Sequence, residues 1–261
     1  MNLVADGWVL TQRNLLRVRH EPGTLITIMV MPTVFVLLFG YVFGSSIGLT
    51  GSGDYREFMM PGLFVLGSGT ALSSAMVDVA MDQARGAMDR LRSLPTNRVA
   101  MPLGQSGAEA FIGAYGLTVM MLTGLIVGWR AHNGVRNALL AIGLLLLFRY
   151  TLAWVGTFLG LTIRNATTAA ALAPLTLPLT MVSNAFVPTD RMPGWLRAIC
   201  EWNPLSALAT ATRTLFGNPV STDPGAAWPL IHPVTASLLW AGLLLVIFVP
   251  LSARRFARAG L

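Results

Sequence analysis

The sequence predicts an all-α integral membrane protein, and three observations carry that prediction. Of the 261 residues, 54% are hydrophobic and 11% charged, whereas a soluble domain holds roughly 25% charged residues. The mean hydropathy is +0.64. Six apolar runs follow one another along the chain, each close to the roughly 20 residues that a helix rising about 1.5 Å per residue needs to cross a bilayer. They cover residues 24–44, 58–80, 107–129, 137–162, 167–187 and 233–251.

Ahead of the first run stands VLTQRNLLRVRHEPG, residues 9–23. A signal peptide has a basic start and then an apolar core. Here Asp6, Arg13, Arg17, Arg19 and Glu21 precede the apolar run, so a permanent first span is expected. Trp8, Val9, Leu15, Leu16 and Val18 alternate with the three arginines. That pattern fits a cytoplasmic interfacial helix within residues 1–23, with Trp8 in the headgroup boundary and Arg13, Arg17 and Arg19 toward phosphates. A plain basic flank that fixes topology is the alternative.

All 18 basic side chains are arginine. With the N-terminus inside, eleven arginines fall on the cytoplasmic side and six outside, with Arg149 in the membrane. The positive-inside rule therefore places both termini in the cytoplasm. The net charge of +7 reads as this topology signal. Nucleic-acid binding is disfavoured because no basic run is interleaved with stacking aromatics.

Between the second and third runs lies a charged stretch, residues 81–98. Read as a helix over 79–94, it has an apolar stripe of Met81, Ala84, Met88, Leu91 and Leu94. Asp82, Arg85, Asp89 and Arg92 recur at the same steps on another side, close enough to pair. Pro95 would end the helix. Such mixed charge suits either a solvated extension or a docking surface for a protein partner.

Arg149, in LLLLFRYTLAW, sits near the middle of the fourth run. Burying a charge there costs about 3 kcal/mol on insertion scales. It should face the bundle interior, with Asp78 and Glu109 as candidate partners, either as a structural ion pair or as a substrate contact. In the fifth run Pro174 and Pro178 allow a kink, and Ala169, Ala170, Ala171 and Ala173 allow close helix approach. Residues 188–232 form a long outer segment whose two helical stretches are too short to span a bilayer; Pro204 would start the second of them favourably. Surface helices or re-entrant ones both fit. Ser68, Thr70, Ser73 and Met76 in the second run make a small, mildly polar or adaptable strip, a candidate substrate path.

Cys200 is the sole cysteine, which excludes an intrachain disulfide and a Cys-cluster metal site. The run nearest to the G-x-S-G of an intramembrane serine protease is LGSG, with Leu66 in place of the first glycine, and the three histidines fall in loops or at span ends. An intramembrane enzyme is therefore disfavoured. An ion-coupled secondary transporter would have to use Arg149, Asp78 and Glu109 as coupling groups.

The run MDQARGAMDRLRSLPTNRVAMPLG resembles the cytoplasmic segment of type-2 ABC exporter permeases, with Gly86, Asp89, Arg90, Leu91, Leu94, Pro95 and Arg98 matching in order. The variant spanning Arg90 to Pro95 is most similar to the daunorubicin-resistance branch. MPGWLRAICEWNPLSALATATRTLF also resembles this family through Pro193, Trp195, Asn203, Pro204 and Arg213. The chain departs from the family pattern at Gln105 and around Gln83 and Ala84. The resemblance spans essentially the whole chain and implies one transmembrane domain of an exporter in the plasma membrane, in bacteria the inner membrane. It implies amphipathic drugs or lipids as cargo, or alternatively lipid-linked polysaccharide. A second permease subunit, the same chain or a related one, is implied too. So are short outer helices that dip into the membrane.

The nucleotide loop G-x-x-x-x-G-K-[ST] needs a lysine, and this chain has none. ATP and Mg are therefore expected on a separate ATPase subunit. The coupling residues implied for that subunit are Asp82, Arg85, Gly86, Asp89, Arg90, Arg92, Leu94, Pro95 and Arg98.

Overall fold

The computed structural model describes residues 3–20, 22–43, 55–86, 100–163, 165–189, 192–220 and 225–258. Every regular element among them is a helix. In chain order these are α1 (Leu3–His20), α2 (Pro22–Leu37, continued by a wider π turn Leu38–Phe43), α3 (Tyr55–Ala84), α4 (Ala100–Val127), α5 (Gly134–Ile163), α6 (Ala166–Leu172), α7 (Thr176–Met181), α8 (Gly194–Trp202), α9 (Pro204–Phe216), α10 (Trp228–Ile231) and α11 (Pro233–Arg258).

Among the described residues four helices are long and apolar enough to cross a membrane: α3, α5, the Pro102–Val127 portion of α4 and the Pro233–Phe256 portion of α11. The first and fifth runs form shorter apolar helices, Ile26–Val42 and Ala166–Met181. The fifth is broken: α6 passes through a 3₁₀ turn at Ala173–Leu175 into α7, which stops at Met181 rather than reaching residue 187. Pro174 and Pro178 are the physical reason, since each lacks the N–H that would continue the helical ladder. Asn165 caps the start of α6, its Oδ1 accepting from the N–H of Thr167 at 2.9 Å.

α3 is the central helix, with one long flank against α5 and others against α4, α9 and the broken α6–α7 segment. Gly156 and Gly160 of α5, one turn apart, set the closest approach. A Cβ on Gly156 would collide with the Leu72 carbonyl oxygen, and one on Gly160 with that of Met76. Small residues at four-residue spacing let two membrane helices meet backbone to backbone. At the other end of α3, Phe64, Trp129 and Phe216 meet edge to face, with ring centroids 5.0 to 6.1 Å apart. The Trp129 indole N–H donates to Asn218 Oδ1 at 2.9 Å, which satisfies the one polar atom this aromatic cluster buries.

The charged stretch departs from a single helix over 79–94. α3 ends at Ala84, and Gly86 turns the chain with φ +68°. The Gly86 N–H donates to Gln83 O at 3.0 Å, closing the last turn. A left-handed glycine is a common helix terminator because it has no Cβ to clash. Asp89, Arg90, Arg92, Leu94, Pro95 and Arg98 lie outside the described residues.

Candidate functional site

Thr70, Ser74, Asp78 and Asp82 recur every four residues along α3, so they line one helix face. From α4, Gln105 and Glu109 face this stripe, and α5 contributes Arg149. The Arg149 side chain ties three helices together. Its Nε donates to the Glu109 carbonyl at 2.9 Å and its Nη2 to the Glu109 carboxylate at 2.9 Å. Nη1 donates to the Gly67 carbonyl at 2.7 Å and to Thr70 Oγ1 at 3.2 Å.

Glu109 is 2% exposed and Arg149 8%. Both charges are deeply buried, and each holds the other's compensation, the arrangement that makes a buried charge tolerable. A Cβ at Gly113 would collide with the Arg149 side chain, so glycine is what lets the guanidinium lie across α4.

Beside this clamp is an open cavity of about 240 Å³ lined by α2, α3, α4, α5 and α7. Met31, Phe35, Phe64 and Met120 supply its apolar walls, and Ser68, Thr70 and Arg149 its polar end. Of the expected substrate strip, Ser68 and Thr70 line the cavity, but Ser73 and Met76 do not. The Ser73 hydroxyl donates to the Thr70 carbonyl at 2.9 Å, and Met76 is buried in a separate cluster with Ala80 and Ala169.

Toward the other end of α3, α1 lies along the start of α4. Thr11 Oγ1 reaches the Gly104 carbonyl at 3.3 Å, and Asn14 donates to Gln105 at 3.0 Å. Gln105 in turn donates to Asp78 at 3.5 Å. Arg13 pairs with Asp82 at 3.6 Å. Trp8 is half-exposed and meets Phe111 edge to face at 5.9 Å. The helix expected before the first span is therefore present, held to the protein by Gly7, Leu10, Thr11 and Asn14. The side chains of Arg17 and Arg19 lie outside the described residues. Asp82 is buried against α1, not presented with Arg85 as an exposed charge pair; Arg85 is exposed and Asp82 is not.

The outer motif divides similarly. Asn203 caps α9, its Oδ1 accepting from Leu205 N–H at 2.9 Å, with Pro204 at the first helical position. Its amide also donates to the carbonyls of Val182 at 2.5 Å and Leu179 at 3.3 Å, fixing the end of α7. Pro193 precedes α8, whose Trp195 is exposed. Arg213 is 1% exposed. Its Nε donates to Phe58 O at 2.8 Å and Nη2 to Ala185 O at 2.6 Å, with the guanidinium 3.8 Å from the Phe58 ring centroid. α9 is packed against α3, α5 and α11, and Arg213 points inward.

Sequence reasoning missed Gly113 and Glu201. Glu201 is buried and accepts from Thr189, from Arg197 at 2.7 Å and from the Ala227 N–H at 2.8 Å. An acid one turn after Arg197 in a short apolar helix was the available signal. No cluster of three metal-ligating side chains occurs among the described residues.

The ABC-2 type transporter family model matches residues 6–216. The daunorubicin resistance ABC transporter permease protein DrrB1 of Streptomyces coeruleorubidus is 30% identical over 253 residues, covering 94% of this chain and 83% of that protein. The protein of Mycobacterium tuberculosis (strain H37Rv) named as doxorubicin resistance ABC transporter permease DrrC is 24% identical over 251 residues, 95% of this chain and 87% of its own. Together with the long apolar helices, these matches show that the chain belongs to the ABC-2 type transporter family and is a multi-pass membrane permease of the ABC exporter kind.

Proposed function

We propose that this chain moves amphipathic drugs or lipids out of the cell, driven by ATP hydrolysed on a separate subunit. The finer topology belongs to the same reading. Six passes have both termini in the cytoplasm, α1 lies at the inner interface, and α8 and α9 dip into the outer leaflet. A second permease, the same chain or a related one, completes the pathway. Residues 81–98 meet the ATPase, where mixed charge sets register and selectivity.

A polar seam supports the reading. The Arg13–Asp82 pair, where α3 ends, the Gln105–Asp78 contact and the Arg149–Glu109 clamp at the cavity follow one another along α3 and α4. A push delivered at the charged segment would act on the end of α3, the helix against which all three are built. Drug cargo is supported by the names of the two relatives, which concern daunorubicin and doxorubicin resistance.

The test is a pull-down of the tagged protein from its native membranes with ATPase activity assayed in the eluate. An ATPase should co-purify with the wild type and be lost with Asp89→Arg or Arg92→Asp. Wild-type protein that brings down no ATPase in mild detergent would refute the reading. The buried Arg149–Glu109 pair favours one second reading, an ion-coupled transporter, which predicts no ATPase partner and dependence on a proton gradient.

A further inference from the structure

We infer that the groove between the end of α8, α10 and the first turns of α11 holds one acyl chain of a bilayer glycerolipid, in the leaflet where α11 begins. This lipid is a resident of the protein surface, not cargo. The inference does not rest on the exporter reading; it needs only that α11 crosses the membrane.

The groove has a volume of about 160 Å³. Trp202 of α8, Trp228 of α10 and Leu239, Trp240 and Leu243 of α11 wall it, and Ala236 lines it as well. Ala236 is 1% exposed, so its small side chain forms the base of a hollow that the larger ones border. No lining side chain is charged.

Position decides the occupant. Pro233 starts α11, and Leu243 follows about 15 Å further along the axis at a rise of about 1.5 Å per residue. The hydrocarbon layer is roughly 30 Å thick, so the groove stays within one leaflet. The exposed apolar face continues beyond it through Val246 and Ile247, the surface that a membrane-crossing helix gives to lipid. The groove is thus a dent in a face that already meets acyl chains. A partner helix is about 10–12 Å across with its side chains; it could lie over the mouth but not enter. A single chain of methylenes can enter.

In lipid the gain comes from contact, not from leaving water. An unfilled dent forfeits dispersion attraction along its walls, and a chain lying against three flat indoles regains it. Trp202 and Trp228 precede α11 in sequence and stand at the mouth. Tryptophans at the membrane boundary sit at headgroup level, where an indole N–H can donate to an ester carbonyl. With no charge in the lining, the headgroup's own charge is not read.

The experiment places the purified full chain in phosphatidylcholine nanodiscs that contain a trace of the same lipid with a diazirine midway along one acyl chain. After irradiation, adducts are mapped by peptide mass spectrometry. The control for bulk lipid is the face of α4 at the same end of the bundle, where Ile126 is 77% exposed against 49% for Leu243. Labelling of residues 240–243 should exceed that of residues 122–126 about fivefold, and a phosphatidylglycerol probe should give the same ratio. Ala236→Phe and Leu239→Trp, each checked for wild-type melting temperature, should bring the groove down to the α4 level. The inference is overturned if labelling simply follows exposure, if a folded filled variant keeps the excess, or if only one headgroup gives it. Labelling weaker than on α4 would mean that protein, a second copy included, covers the groove, and would overturn it too. No ATPase takes part, so failure here leaves the exporter reading standing, and a failed ATPase pull-down leaves this site standing.

Discussion

Among the described residues two arginines are buried, and they are buried in different ways. Arg149 lies in the middle of α5 and faces a carboxylate, so its site is close to neutral. Arg213 lies in α9, and among the described residues it forms no ion pair. It is held instead by two backbone carbonyls and the face of Phe58. The first joins the membrane-crossing helices α3, α4 and α5 beside a cavity. The second fastens an irregular stretch, through Ala185, to the opening turn of α3. Arg149 shows how a charge is kept where something can bind next to it. Arg213 shows how a charge is used as a staple where the chain has left regular helix and its carbonyls need donors.

The largest effect should come from breaking the neutral site on one side. Glu109→Leu leaves a guanidinium buried without its carboxylate and should destabilise the protein by about 3–5 kcal/mol. Unfolding in mild detergent would show it as a clear fall in melting temperature. The paired replacement Glu109→Leu with Arg149→Met should recover most of that loss, because removing both charges also removes their desolvation cost.

Arg213 should behave otherwise. Arg213→Leu loses two charge-assisted hydrogen bonds and a ring contact but also relieves a costly burial, so a net loss of about 2 kcal/mol is expected. Arg213→Lys should cost nearly as much, since an ammonium cannot reproduce the planar fork that reaches both carbonyls and lies on Phe58. Full stability in the lysine variant would mean that charge alone holds the segment.

Asn203 sharpens the comparison from within the outer region. It ties Val182, three residues before the Ala185 that Arg213 holds, and it caps α9 as well. Asn203→Ala should cost about 1–2 kcal/mol, the usual size for a lost cap, and its effect should be less than additive with Arg213→Leu because both act on one segment. A double-mutant cycle on detergent melting curves reads this directly.

The smallest effect belongs to the ion pair at the other end of the seam. Arg13 and Asp82 are 3.6 Å apart, and the Arg13 side chain is 42% exposed. Arg13→Ala should change stability by less than about 1 kcal/mol, against the several expected for the same chemistry at Glu109. If both pairs cost the same, depth is not what separates them.

The helical membrane character was legible in the sequence, because an apolar run near the length of a bilayer crossing leaves few alternatives. So was the interior aim of Arg149: a charge in an apolar run has to face protein. Its partner was narrowed to Asp78 and Glu109, and the structure selects Glu109, the sole acid of α4. The role of Asn203 and Pro204 at a helix start was also readable, since cap chemistry is local. What stayed hidden depended on packing between distant segments. Nothing near Asp82 in sequence says that Arg13 will reach it before Arg85 does. Nothing near Arg213 says that Ala185 and Phe58 will offer carbonyls. The end of α3 at Ala84 turned on the conformation of Gly86, a residue that helical periodicity passes over.

The central claim is that this permease exports cargo at the expense of ATP. It is tested most directly in inverted membrane vesicles from native cells with and without the gene, by following uptake of a fluorescent amphipathic drug. ATP should drive uptake only where the chain is present, and a protonophore should leave it intact. Uptake that ignores ATP and collapses with the protonophore would contradict the account and establish ion coupling in its place.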